Sequence, residues 1–308
     1  LKTILKTLLP LLLVILLAGY LFFEGRQESE TLTQEVRVSS PGKFVDLEFG
    51  SVHYMLEGAD SLELIVFIHG GGVTGLEIWL KNIDYFLENG YRVLAFDLYG
   101  RGYSDRPQAE HTPSLFHQQL TQLLERLEIR EPIYLVALSM GAIISLDYHH
   151  AYPDLVKKMI LIDPSASGNY KASRMLSTPV LSDFLMTAYW YPKAVENQRK
   201  EFVDKDLFET YSGRLSYFMN FEGYKQSNYS TWMNMLNQNR LDLVAEIDPE
   251  DLMVIYGASD PYFNKGQYEL YTSRFPLVTM YRIEAAGHMP QYEKPDEVNQ
   301  LMHDFLKN

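Results

Sequence analysis

The sequence predicts an α/β fold: a mostly parallel central sheet with flanking helices, one inserted helical segment, and an apolar stretch in front. Three observations carry this expectation. Short apolar, β-favouring runs alternate with runs of helical length along most of the chain. The alternation stops near residue 165 and resumes near residue 252. Hydrophobic residues make up 46% of 308 positions, enough for one large domain with a sizeable core.

The elements follow in order. Thr7 to Phe23 is an uncharged apolar run preceded by Lys2 and Lys6. It is at the short end for a membrane span, where about 20 residues is typical, and slightly long for a signal-peptide core. Basic residues before it and the acidic segment Glu24 to Glu35 after it favour a cytoplasmic N-terminus. Residues 1–23 are therefore expected to be a membrane anchor with the folded domain extracytoplasmic, or a signal peptide removed from a secreted protein. Residues 24–42 read as a polar linker closed by Ser39-Ser-Pro-Gly42. Phe44 to Leu56 alternates around Gly50-Ser51 and reads as a β-hairpin. Strands are then expected at 64–68, 92–96, 132–138 and 158–162, with helices at about 76–89, 113–128 and 140–151. After the insertion come strands 252–256 and 277–283, with helices at about 264–274 and 295–307. This βαβα rhythm implies parallel strands.

Composition excludes several function classes. The net charge of −13 argues against nucleic acid as a partner, because phosphate binding needs a basic face. With no cysteine there is no disulfide, no thiol nucleophile and no cysteine-based zinc site. No metal-ligand constellation stands out.

Chemistry-bearing residues lie where the predicted strands end. The run Pro132 to Leu138 leads into Ser139-Met140-Gly141 and then at once into a helical stretch. That is the strand–turn–helix setting of a nucleophile elbow, in which the serine oxygen stands clear of the backbone. Small neighbours are needed because strand and helix nearly touch there. Gly141 supplies one, and Ala137 stands where the usual motif has glycine. Upstream, Leu64 to Ile68 runs into His69-Gly-Gly-Gly72. A glycine loop exposes backbone N–H groups, which can stabilise negative charge developing on a carbonyl oxygen. The expected donors are Met140, the residue after the serine, and Gly71, with Gly72 second to it. Asp260 closes the strand-like run Leu252 to Gly257, and His288 follows the run Leu277 to Ile283. Asp163 also ends a predicted strand and is the rival acid. The order Ser139, Asp260, His288 is that of elbow-bearing hydrolases.

Together these segments, from about residue 43 to 308, resemble the α/β-hydrolase superfamily. Asp97-Leu-Tyr-Gly100-Arg-Gly102-Tyr-Ser104 looks like the turn that follows the fourth strand in its single-domain esterases and lipases, and is expected to be structural. The resemblance implies a core of residues 43–164 and 248–308, with a helical cap at 165–247. That cap is rich in aromatic residues and methionine, among which Trp190, Tyr217 and Trp232 are the candidate substrate contacts. The implied function is a serine hydrolase cleaving carboxylic esters with an apolar acyl or alcohol portion, needing no cofactor. A carbon–carbon bond hydrolase, a thioesterase, or a non-catalytic membrane-tethered binding module are the alternatives, because fold does not fix substrate. Nothing in the sequence sets an oligomeric state.

Overall fold

The computed structural model describes residues 2–168, 170–171 and 174–308. Leu1, Asn169, Ala172 and Ser173, which fall in the expected N-terminal segment and insertion, lie outside the described residues. One sheet contains β1 (Lys43–Leu47), β2 (Gly50–Glu57), β3 (Leu64–Ile68), β4 (Arg92–Phe96), β5 (Ile133–Leu138), β6 (Val156–Ile162), β7 (Leu252–Gly257) and β8 (Thr279–Ile283). The spatial order is β1-β2-β4-β3-β5-β6-β7-β8. The hairpin β1–β2 and the β2–β4 pair are antiparallel, and every pairing from β4 across to β8 is parallel.

The inner parallel strands β3, β4 and β5 are buried along their whole length because both faces are covered. Leu64, Val66 and Ile68 of β3 join one core, with Phe116, Leu120 and Ile143 from helices Pro113–Arg126 and Gly141–Ala151. Ile65 and Phe67 join the other, with Ile83 and Phe86 from Leu80–Glu88 and Val298 and Met302 from Pro295–Lys307. Helix 113–126 starts where the sequence says it should. Thr112 caps it by accepting the Leu115 amide, and Pro113 stands in the first turn.

Between β6 and β7 the chain leaves the sheet. Helices Pro179–Leu185, Tyr191–Gln198, Lys205–Met219, Tyr224–Asn234 and Leu241–Val244 follow, with a π-helical turn at Met186–Trp190. Phe208, Tyr211, Phe218 and Phe221 of this insertion pack into the second core. Much of its aromatic content is therefore spent on packing.

The N-terminal expectation is corrected. Among the described residues, no helix is long and apolar enough to cross a membrane, so the reading of a membrane-anchored extracytoplasmic or secreted domain is overturned. The helix Lys2–Glu24 instead ends in contact with the insertion. Tyr20 donates to Asp183, and Lys225 pairs with Glu24 at 2.6 Å. The stretch read as a linker is also held. Gln27 donates to the Thr187 carbonyl at 2.8 Å, Glu30 exchanges backbone bonds with Asn220 and Glu222, and Gln34–Val38 is helical.

The tightest backbone contact in the sheet edge lies at Gly257. A Cβ there would sit 1.8 Å from the Gly287 carbonyl oxygen, on the loop that carries His288. Gly257→Ala is expected to cost about 1–3 kcal/mol or more, because backbone must move to admit it. A fall in the urea midpoint of the full chain measures this, and an unchanged midpoint refutes it.

Candidate active site

Ser139 occupies the turn between β5 and helix 141–151 with φ of 52°. A left-handed backbone costs a residue with a side chain about 1–2 kcal/mol, so the surroundings must impose it. They do so through hydrogen bonds. The Ser139 amide donates to Ile162 at 2.8 Å, and its carbonyl accepts from Ser165 at 3.0 Å and Ala142 at 3.1 Å. Gly141 is required by proximity, since a Cβ there would lie 2.7 Å from the Ile68 carbonyl oxygen. Ala137 is fully buried in β5, so its extra methyl is packed rather than excluded.

The glycine loop lies beside this turn. A Cβ on Gly70 would come within 3.1 Å of the Ser139 Cβ, whereas Gly71 has open space around it and faces the cavity. Arg101 Nε donates to the Gly71 carbonyl at 3.0 Å and fixes the peptide. Met140 is buried at the start of the helix, where the first amides have no acceptor within the helix. His69 orders the loop. Its Nε2 accepts the Leu98 amide at 2.9 Å, which leaves Nδ1 to donate to the Gly70 carbonyl at 2.7 Å. Burial pushes this imidazole down to about 4, so it stays neutral. Asp97 is structural as expected. It accepts from the amides of Leu76 and Tyr103 and contacts His53 Nδ1 at 2.7 Å.

Asp260 and His288 meet. His288 Nδ1 lies 2.8 Å from Asp260 Oδ2, and the Tyr262 amide donates to Asp260 Oδ1 at 2.8 Å. Burial opposes charge on both, but each stabilises the other's charged form. Burial would push Asp260 up, yet His288 and the other donors hold it below the usual carboxylate range. Burial would push His288 down, yet Asp260 holds it above the ordinary imidazole value. The rival acid Asp163 is present too, fully buried at the end of β6, with one oxygen within 4.8 Å of atoms of both Asp260 and His288. Such a trio has the reach to hold a small cation, but His288 and Asp260 already bind each other and Asp163 accepts the Gly257 amide.

Ser139 and His288 line one cavity of about 730 Å³. Among the described residues no hydrogen bond joins them; catalytic contacts of this kind often tighten only around substrate. The insertion supplies much of the cavity wall. Trp190 and Trp232 line it and stack edge to face at 5.3 Å. Tyr217 does not line it. Its ring packs against Tyr103, Phe218 and Phe221 on the far side of its helix. Sequence reasoning missed Glu201 and Tyr262. Tyr262 stands edge-on to His288 at 4.9 Å, and its hydroxyl donates to Glu201 Oε1 at 2.9 Å. Tyr262 lies two residues past Asp260, which was a usable signal; Glu201 had none, because only the fold of the insertion brings it here. Enclosure raises the Glu201 carboxyl above its ordinary range despite nearby His288.

A partly exposed strand-end serine, a strand-end acid bonded to a histidine, and a glycine loop on one edge of a parallel sheet define a hydrolase-type site. A sequence profile of the alpha/beta hydrolase fold matches residues 63–295, and the chain belongs to that family. It is 25% identical over 256 residues to Protein ABHD8 of Mus musculus, covering 81% of this chain and 56% of that protein. The chain thus spans little more than half the length of that relative. It is 26% identical over 285 residues to the 2-hydroxy-6-oxononadienedioate/2-hydroxy-6-oxononatrienedioate hydrolase of Comamonas testosteroni, covering 89% and 99%. An esterase structure from Exiguobacterium antarcticum superposes with a TM-score of 0.72 at 14% identity, covering 87% and 100%.

The cavity wall gives a test that needs no turnover. The chain has 3 tryptophans, and Trp79 is fully buried in the core away from the cavity. A medium-chain alcohol filling the cavity is expected to change tryptophan emission. Trp190→Phe with Trp232→Phe should abolish that response, and Tyr217→Phe should leave it intact.

Proposed function

We propose that this chain is a serine hydrolase that cleaves carboxylic esters with an apolar acyl or alcohol portion, and that residues 165–247 act as its cap. The observation that carries the reading is the His288–Asp260 contact of 2.8 Å on the same cavity wall as the left-handed Ser139. Ser139 Oγ attacks the ester carbonyl carbon while His288 Nε2 takes its proton. Asp260, on Nδ1, fixes the tautomer and balances the imidazolium. The oxyanion is received by the amides of Met140 and Gly71. Collapse expels the alcohol, which takes the proton from His288. Water, deprotonated by His288, then releases the acid and restores Ser139. Aromatic side chains of the insertion, Trp190 and Trp232 among them, receive the apolar portion.

A second reading is supported by the Comamonas relative, which this chain matches along nearly its whole length. On that reading the same residues break a carbon–carbon bond next to a ketone. The wall also carries polar groups, Asn197, Gln198 and Glu201, which could hold a more polar substrate.

The full chain is the form to assay, because residues 24–30 bind the insertion. Hydrolysis of p-nitrophenyl esters from acetate to palmitate is expected, with loss in Ser139→Ala and a fall of roughly four orders of magnitude in Asp260→Asn. Turnover of a vinylogous diketone acid but of no ester would favour the second reading. The pH profile follows from His288. A base must be neutral to accept a proton, and Asp260 raises His288 above its ordinary value. The acidic limb of kcat/KM should therefore lie above about 6.5, with activity lost as pH falls through it. A limb well below that value contradicts His288 as the base.

A further inference from the structure

Asp163 is the group the proposed reaction leaves without a task. It ends β6 in the left-handed region, with φ of 43°, and is 1% exposed. Its amide donates to the Ile255 carbonyl at 2.9 Å, which aims its side chain across β7. Gly257 donates one N–H to its carboxyl, at 3.1 Å from Oδ1 and 3.4 Å from Oδ2. Its carboxyl also comes close to that of Asp260, with an oxygen of each within 4.8 Å of the other.

Two buried carboxyl groups this close disfavour two charges, and they can bond each other only through a shared proton. The donors decide which group keeps it. Asp260 receives His288 Nδ1 and the Tyr262 amide, and both favour its anion. Asp163 receives the Gly257 amide alone and has no cationic partner among the described residues. Other groups press the same way. Glu293 lies near Asp163 and adds negative potential. Glu201 faces His288 from the insertion, and the Tyr262 ring covers the imidazole edge.

We infer that Asp163 is a positioning residue held as a neutral acid, which donates its proton to Asp260 and thereby weakens the hold of Asp260 on protonated His288. This deepens the proposed function and rests on Ser139, His288 and Asp260 acting together. A third donor spreads the charge of Asp260 over more bonds. Less of that charge is left to trap His288 as imidazolium, so the base returns to its neutral form nearer neutral pH. Burial, followed by the charge of Asp260, raises the Asp163 carboxyl well above its ordinary value, in agreement.

The test uses the full chain and two readouts independent of turnover. A protonated carboxyl has a C=O stretch that carboxylates lack. The infrared difference between wild type and Asp163→Asn at neutral pH should contain one such band. His288 is titrated by NMR in the Ser139→Ala background. Asp163→Asn replaces the O–H donor with an N–H donor of the same shape and charge, so the midpoint should move little. Asp163→Ala removes the donor, so the midpoint should rise, and the acidic limb of activity should rise with it. Absence of the band, or a fall of about one unit or more in Asp163→Asn, marks Asp163 as an anion and overturns the inference. An unmoved midpoint in Asp163→Ala overturns its tuning role. If Ser139→Ala retains activity, the serine mechanism fails, while the band and the titration still report where the proton sits.

Discussion

The site depends on a run of backbone hydrogen bonds that continues the sheet's pairing past the ends of its strands. Ser139 donates to Ile162, the last residue of β6. Asp163 donates to Ile255 in β7, Ala258 to Ile283 at the end of β8, and Ser259 to Ala286. Each bond ties the first residues beyond one strand to the next strand along or, for Ser259, to the loop that follows it. The turns carrying Ser139, Asp163, Asp260 and His288 are thus held in register by backbone bonds that involve none of these side chains. Small residues make this possible. The backbones approach so closely at Gly141 and Gly257 that no side chain fits. The left-handed conformations of Ser139, Asp163 and Ala285 are local strain that this lattice holds in place.

The insertion grips the same edge from above. His288 donates its amide to the Glu201 carbonyl at 2.8 Å, and Glu293 receives the amides of Gly287, Val203 and Asp204. The histidine loop is therefore clamped between the sheet and residues 199–204. On the other side Arg101 joins the glycine loop to the insertion. It donates to the Gly71 carbonyl and to Thr231 at 2.9 Å. The N-terminal segment extends this grip, since Glu24 and Glu28 hold buried Lys225 about one helical turn before Asn228 and about two before Thr231. Position of the chemistry and position of the insertion are thus one mechanical problem.

How much of this was legible in the sequence depends on the range of the interactions involved. The strands at 64–68 and 92–96 and the helix ending at Lys307 match their expected limits because each is an uninterrupted local pattern with its own stop signal. Ser139, Asp260 and His288 could be found because each follows such a strand directly. The glycine loop could be placed, but not that Gly70 packs against the Ser139 Cβ while Gly71 has open space around it. Tyr217 and Trp232 could not be told apart. Both are aromatic residues on helices of the insertion, and only the tertiary packing decides which face looks inward. The apolar N-terminal run misled for a related reason. Hydrophobicity alone does not reveal that Tyr20, Glu24 and Gln27 have partners far along the chain.

Asp163 shows the same limit in a more instructive form. The sequence presents Asp163 and Asp260 as competitors for one task, since both are acids at strand ends. In the fold they are neighbours, and the number of donors around each separates them. Asp260 has a histidine and an amide to itself, whereas Asp163 must share the amide of Gly257 between its two oxygens. Glu201 repeats the pattern from the insertion, with its carboxyl raised by enclosure beside the same imidazole. Three carboxyl groups thus converge on His288, yet burial disfavours charge on more than one of them. With Asp163 neutral, as inferred, the charge of Asp260 is balanced when His288 takes up a proton, and burial pushes the Glu201 carboxyl upward in the same sense. An uncharged substrate can then enter without burying a further unpaired charge.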